Sequence, residues 1–356
     1  MSDIGWDIGG VHLKAARAEN GRIVDAVQIA APLRAGLEPL IKAFGQAKAR
    51  MGSGRHLVTM TAELADTFTS RAEGVERIAA LAARELNDAP VWLYAGRAGF
   101  VPIARAPAHI TDIASANWHA SAALVARRSA QALFIDMGST TTDIVPVSGG
   151  TVLARGYTDA ERLAAGELVY TGLVRGFVMA TANRAPFDGA WTTLVNENFA
   201  NMGDVHRILG RLPEGADQMG TADGREKTVP ASRARLARMI GRDAADGDAA
   251  TWEKLAAWLV EAQLRAIMDG AMQVMSATQV SRHAPIVGAG VGAGIAAEVA
   301  RRMGSKFIAF ETLLDVVPQA RDAASQCAPA AALALLASSL PMPLVEGAAI
   351  NECPAS

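Results

Sequence analysis

The stretch Phe134–Val147, FIDMGSTTTDIVPV, decides how this chain is read. An apolar run enters a glycine turn, passes Ser139, Thr140, Thr141 and Thr142, and becomes apolar again. Asp136 and Asp143 bracket the turn. Aspartate is depleted in strands, so two of them around one tight bend ask for a purpose beyond folding. Gly138 lets backbone N–H groups approach an anion, the hydroxyls add donors, and the carboxylates suit a divalent cation. A phosphate with a metal ion explains the pattern better than a plain threonine-rich hairpin does.

The same pattern opens the chain. WDIGGVHLKAA, Trp6–Ala16, again runs from a strand through an Asp-x-Gly turn into a second strand. Gly9 and Gly10 clear the turn, Asp7 closes the first strand, and Lys14 on the return strand can reach a phosphate. Alone this is a common glycine hairpin. Asp7 and Asp136 lie 129 positions apart, however, and each is followed by the same strand–turn–strand pattern. Such an internal repeat predicts two related half-domains facing one cleft. A third glycine run, VGAGVGAGIAAEVA from Val287, matches a dinucleotide fingerprint only loosely, with Gly288, Gly290, Gly292 and Gly294. Glu311 and Asp315 stand near the expected downstream acid, but the run comes late in the chain.

Between these motifs the pattern alternates. IGWDIGGVHLKAARAENGRIVDAVQIA predicts three strands with an Asn20-Gly21 hairpin turn. Helices are expected over LEPLIKAFGQAKARM, GVERIAALAAREL and DIASANWHASAALVARR, the last capped by Asp112 or Ser115. Strands are expected at HLVTMTAEL and APVWLYAG. In the second half AERLAAGELVYTGLVRG reads as a helix carrying Glu167, TWEKLAAWLVEAQLRAIMDGAMQVMSA as a long helix, KFIAF as a strand, and QCAPAAALALLASS as a closing helix. The whole is α/β, with lobes at residues 1–130 and 131–356 and a helical, irregular insertion at about 180–250 holding Trp191, Phe199 and Ile208.

Composition narrows the function. The 356 residues are 51% hydrophobic, 5% aromatic and 20% charged, with a net charge of −2. No basic stripe or aromatic platform favours nucleic acid or an anionic membrane. Two cysteines, Cys327 and Cys353, exclude a disulfide framework or a cysteine zinc site, and Cys327 reads as a small buried hydrophobe. The uncharged run Cys327–Val345 is broken by Pro329, Pro341 and Pro343, so a buried helix and a loop are expected rather than a membrane span. With Asp3 and Asp7 interrupting any leader, a cytoplasmic protein is expected.

Taken in order, the three motifs resemble the actin/Hsp70/sugar-kinase superfold, built from two ribonuclease H-like repeats. More closely, DIGGVHLKAA, FIDMGSTTTDIVPV and VGAGVGAG resemble the hydantoinase/oxoprolinase A family. SANWHASA, ERLAAGELVYTG, ENFANMGDVHRILGRLPEGAD, TADGREKT and SRARLARMIGRD are similar to its branch that builds methanofuran and methylofuran, the one-carbon carriers of tetrahydromethanopterin-linked metabolism in methanogens and methylotrophs. The resemblance spans nearly the full length. It implies a transferase joining an aminomethylfuran-methyl diphosphate to the phenol of a γ-glutamyl tyramine or tyrosine-type acceptor, with ether formation and release of diphosphate.

On that basis Asp7, Lys14, Asp143 and Glu167 are the expected catalytic residues. Gly9, Gly10, Gly138, Ser139, Thr140, Thr141, Gly288 and Gly290 are expected to bind diphosphate, and Asp7 and Asp136 to hold Mg²⁺. Glu197, Asp204 and His206 are further candidates for the base, although helix caps and an ordinary histidine explain them equally well. Arg207, Arg211, Arg233, Arg235 and Arg238 could meet a glutamyl or diphosphate group, or simply face solvent. His12 and Leu13 depart from an ATPase-like first loop, so ATP is a weaker expectation than Mg²⁺. The partners expected are the furan diphosphate and the phenolic acceptor, with a homo-oligomer open. An ATP-dependent kinase or amidohydrolase, and a non-catalytic nucleotide-binding regulator, remain as alternatives.

Overall fold

The computed structural model describes residues 2–338. Strands β1 (Ser2–Ile8), β2 (His12–Glu19) and β3 (Arg22–Ala30) form an antiparallel meander. Its second turn is Asn20-Gly21, with φ of 50° and 80°, the doubly left-handed backbone that Asn-Gly predicts. Helix α1 (Glu38–Met51), β4 (Arg55–Met60), α2 (Arg71–Glu85), β5 (Val91–Tyr94) and β6 (Phe100–Pro102) complete a six-stranded sheet ordered β3-β2-β1-β4-β5-β6. β4 and β5 run parallel to β1. Short α3 (Ile110–Ile113) then leads into α4 (Asn117–Arg128).

The pattern restarts with β7 (Gln131–Met137), β8 (Thr142–Ser148) and the short β9 (Thr151–Val152). After α5 (Asp159–Ala165), β10 (Leu168–Val169) joins the other end of β8. The insertion follows: α6 (Val178–Thr181), the hairpin β11 (Arg184–Phe187) and β12 (Ala190–Thr193), α7 (Met202–Ile208) and α8 (Val229–Arg238). Then come the long α9 (Ala249–Ser276), β13 (Ile286–Ala289), α10 (Ala293–Met303), β14 (Phe307–Ala309), α11 (Arg321–Gln326) and α12 (Ala328–Ser338). The second sheet is ordered β10-β8-β7-β13-β14, with β13 parallel to both β7 and β14. Each half is therefore an antiparallel meander extended by parallel strands, which is the repeat the two Asp-x-Gly turns predicted.

Two helices fill the space between the sheets. Trp118 and Val125 of α4 share a buried core with Phe134 and Val145 of the second sheet. α12 crosses back to pack on β1, β2 and β4. Its residues Ala330 to Ala337 are almost wholly buried, and a side chain on Gly5 of β1 would strike the Ala330 carbonyl oxygen at 1.9 Å. Alanine and glycine are what allow helix and sheet backbones to touch here. Leu333, Leu335 and Leu336 each contribute roughly 1.5–3 kcal/mol by leaving water. Cys327 is buried, as its composition suggested, and burial pushes its thiol up to about 12. Pro341, Pro343 and Cys353 lie outside the described residues. Among those described, no helix is long and apolar enough to cross a membrane.

Two local expectations fail. α4 starts at Asn117 and neither Asp112 nor Ser115 caps it; Ser115, at φ 54°, instead donates to Glu63 at 2.7 Å. The helix expected to carry Glu167 ends earlier, because Gly166 adopts the left-handed backbone at φ 74° and its N–H closes on Arg162 and Leu163 carbonyls.

Candidate functional site

The ends of the two hairpins open into one cleft of about 460 Å³. Asp7, Gly9, Gly10 and Lys14 line it from the first lobe, and Asp136, Gly138, Ser139, Thr140, Thr141 and Asp143 from the second. Strand register places these groups. Asp7 pairs across its hairpin with Lys14, and Asp136 pairs across its own with Asp143. In an antiparallel ladder such opposed residues put their side chains on the same face, so each turn offers two charged groups to the cleft.

The electrostatics of the two turns differ. Lys14 Nζ lies 3.9 Å from Asp7 Oδ2, and Asn117 Nδ2 donates a long hydrogen bond of 3.4 Å to Asp7 Oδ1. Burial raises the Asp7 pKa against both of these partners. Burial also works to lower Lys14, but Asp7 and Asp136 outweigh it and the amine is held above its ordinary value. Arg162 Nη2 donates to Asp143 Oδ1 at 2.8 Å while its guanidinium lies 4.0 Å over the Trp118 ring. Burial still leaves the Asp143 pKa raised. The Asp136 carboxylate makes no hydrogen bond among the described residues, and burial, opposed by Lys14 and aided by Asp143 and Asp7, pushes it up to about 7.

The second turn is braced from behind. The N–H of Leu173 donates to Gly138 O, and those of Val174 and Arg175 to Ser139 O at 3.1 and 2.8 Å. A side chain on Gly172 would meet Thr140 N at 2.4 Å. Gln263 of α9 holds this segment by donating to Thr171 Oγ1 and Gly172 O, and its own Oε1 meets His206 Nε2 at 2.9 Å. His206 is thus a fully buried bracing residue rather than a cleft base, and burial lowers its pKa to about 4.

Three expectations for the site need correcting. Glu167 does not reach the cleft: its carboxylate accepts from the N–H groups of Arg155 and Gly156 at 2.6 and 3.0 Å, tying the β9–α5 connection to β10. Gly288 and Gly290 do not line it either. Gly288 sits inside β13 against Phe307, and a side chain on Gly290 would strike the Met137 carbonyl and Asp136. Their lack of a side chain serves close packing, Gly288 on Phe307 and Ala296 and Gly290 on the end of β7. Asp204 caps α7 reciprocally with Asn201 and receives Arg235 at 2.7 Å, and Glu197 is exposed. Arg207 pairs with Asp204 and Asp217, Arg233 with Glu253, and none of the five insertion arginines lines the cleft.

The sequence reading passed over Asn117, Arg162, Arg34, Arg175, Tyr170 and Met219, all of which line the cleft. Asn117 stands in SANWHASA and Arg162 and Tyr170 in ERLAAGELVYTG, segments that carried the narrower resemblance, so a signal existed for those three. Met219 arrives from the insertion, whose Gln218 reaches across to the Gln28 carbonyl of β3.

The hydantoinase/oxoprolinase family model matches residues 56–337. This chain belongs to the hydantoinase/oxoprolinase family. Over 244 residues it is 34% identical to (4-{4-[2-(gamma-L-glutamylamino)ethyl]phenoxymethyl}furan-2-yl)methanamine synthase of Methanocaldococcus jannaschii, covering 67% of this chain and 72% of that one. The synthase of the same name from Methanococcus vannielii is 34% identical over 111 residues, 31% of this chain and 50% of its own. These matches bear out the narrower likeness to the methanofuran branch and give this member of the hydantoinase/oxoprolinase family a biosynthetic role as an enzyme. Nucleotide-free acetone carboxylase shares the fold, with a TM-score of 0.57 at 11% identity over 93% of this chain and 70% of that one. The architecture is that of the actin/Hsp70/sugar-kinase superfold.

Proposed function

We propose that this protein is a transferase coupling an aminomethylfuran-methyl diphosphate to the phenol of a γ-glutamyl tyramine or tyrosine-type acceptor. The observation that carries this reading is the facing of the two glycine turns across one cleft, with Lys14, the buried Asp7 and Asp136 and the partly buried Asp143 between them. The relatives' printed name supports it, because it describes a phenoxymethyl-furan ether bearing a γ-glutamylaminoethyl arm. In the reaction the furanylmethyl C–O bond breaks and its electron pair leaves with the diphosphate. The phenol oxygen forms the new C–O bond and gives up its proton. Gly10 and Ser139 to Thr141 offer N–H and hydroxyl donors to the departing diphosphate, Lys14 offers positive charge, and the N–H groups of Gly9 and Gly138 close the two turns on the His12 and Thr141 carbonyls. Asp143 Oδ1 is held by Arg162, while Oδ2 has no hydrogen bond among the described residues. Its raised pKa suits it to take the phenol proton, whose ordinary pKa is about 10.

The site fits Mg²⁺. Asp136 is a buried carboxylate without a partner, and Asp7 stands opposite. Among the described residues no three His, Cys, Asp or Glu side chains cluster closely enough to chelate a metal alone. Mg²⁺ is ordinarily held by one or two carboxylates together with phosphate oxygens and water, so Asp7 and Asp136 suffice. Bound there it would neutralise charge building on the leaving diphosphate.

The same turns could clamp ATP, which keeps an ATP-dependent kinase or amidohydrolase as the second reading. Neither Gly288 nor Gly290 of the late glycine run lines the cleft, which favours the transferase over that second reading. The test is an assay without ATP: protein, Mg²⁺, the furan diphosphate and γ-glutamyl tyramine, followed by diphosphate release and ether mass. Ether formation supports the transferase. Phosphate released from ATP with no ether under any condition would overturn it.

A further inference from the structure

We propose that Arg34 and Arg175 form a carboxylate subsite, one arginine from each lobe, that takes the glutamyl end of the acceptor. The identity of this ligand rests on the transferase reading; the presence of an anion subsite does not. Arg34 sits in the short turn Leu33–Ala35, which hangs from the first hairpin turn through Leu33 N–H to Gly10 O at 3.0 Å and Ala31 N–H to Val11 O at 2.7 Å. Arg175 sits on the brace behind the second turn, and its Nη1 donates to Thr140 Oγ1 at a long 3.4 Å. Both line the cleft.

Their charges are uncompensated. The other two basic side chains lining the cleft are paired, Lys14 with Asp7 and Arg162 with Asp143. Neither Arg34 nor Arg175 has an acidic partner among the described residues, although Asp66 lines the same cleft. Arg34 lines the cleft from the first turn and Arg175 from the second, and burial with the like charge of Arg34 holds the Arg175 guanidinium below its ordinary value. Two guanidiniums without carboxylate partners lining one cleft ask for an anion, and the planar fork of arginine matches a carboxylate. His12 lines the cleft nearby with its Nε2 buried and unpartnered. Burial, Lys14 and Arg175 hold its pKa at about 4, so at neutral pH it offers a polar contact without adding charge.

The choice of a carboxylate over a second phosphate follows from the surrounding wall. Tyr170 and Leu64 are exposed large side chains, and with Met219 they line the same cleft. An aromatic acceptor with an anionic tail suits an apolar wall beside an arginine pair. The diphosphate already has two glycine turns and Lys14.

Calorimetry of the full chain, with Mg²⁺ and inorganic diphosphate present, tests this without requiring turnover. γ-Glutamyl tyramine is expected to bind at least tenfold tighter than tyramine. R34Q and R175Q are expected to erase that gap while changing inorganic diphosphate affinity less than about threefold. No preference for the glutamyl form in the wild type would overturn the subsite. So would a preference that survives in both variants, or variants that lose diphosphate instead, which would make the arginines phosphate ligands. A glutamyl preference in a protein that forms no ether would defeat the transferase reading and leave the subsite standing.

Discussion

The two hairpin turns share a backbone plan but not a charge plan. In the first, the residue opposite the aspartate is Lys14; in the second it is Asp143. The repeat therefore pairs opposite charges in one lobe and like charges in the other. Like charges directly opposed on a sheet are destabilising, and Arg162 relieves Asp143 alone. The first turn is balanced before any ligand arrives, whereas the second is short of positive charge. A divalent cation binding at Asp136 would supply what the second turn lacks.

Replacing each aspartate breaks or sharpens this comparison. D136N is expected to cost about 10²–10³-fold in Mg²⁺-dependent ether formation while raising metal-free stability by about 1 kcal/mol, since an unpaired buried charge is removed. D7N is expected to change stability less than D136N does, because removing a charge that burial disfavours also takes the 3.9 Å partner of Lys14. Denaturant midpoints of the metal-free proteins decide it, and an equal rise in both would end the distinction. K14M comes next, with a loss of about 10²-fold in turnover and weaker diphosphate binding by calorimetry.

Away from the turns the expected effects are structural. E167Q is expected to lower stability by about 1–3 kcal/mol, because the amide cannot accept from both Arg155 and Gly156 N–H groups as the carboxylate does. Turnover within about threefold of wild type would confirm that Glu167 is no catalyst, and a loss of a hundredfold in a folded protein would restore it to that role. The smallest effect is a pH slope. His206 has its pKa lowered to about 4 by burial, against 6.5 when unfolded. Between those values the unfolded chain binds a proton that the folded chain does not, so stability falls as pH drops from about 6.5 toward 4. H206Q is expected to flatten that part of the stability curve, read from denaturant midpoints at several pH values.

Much of this was legible in the chain. Once Gly138 and Gly9 mark the turns, hairpin register alone sets Asp136 against Asp143 and Asp7 against Lys14. The Asn20-Gly21 turn, the long α9 and the alanine-rich closing helix were readable for similarly local reasons. Glu167 was misread because apolar spacing continues past Gly166; a glycine in left-handed backbone was the stop signal, and it was in the sequence. Gly288 and Gly290 were misread because glycine needed for packing and glycine needed for a ligand look the same in one dimension.

The sequence by itself determined the repeat, the two strand–turn–strand units and the charge type at each turn, because backbone propensity and period-two register act over a few residues. Only the tertiary structure decided that the two turns face one cleft, that α12 returns to the first sheet, that the Asp136 carboxylate is left without a hydrogen bond among the described residues, and that Arg34 and Arg175 line the same cleft. Those facts depend on the distance between groups far apart in the chain and on how much water is left around them. Coulomb and desolvation energies follow that distance and burial, not position in the sequence.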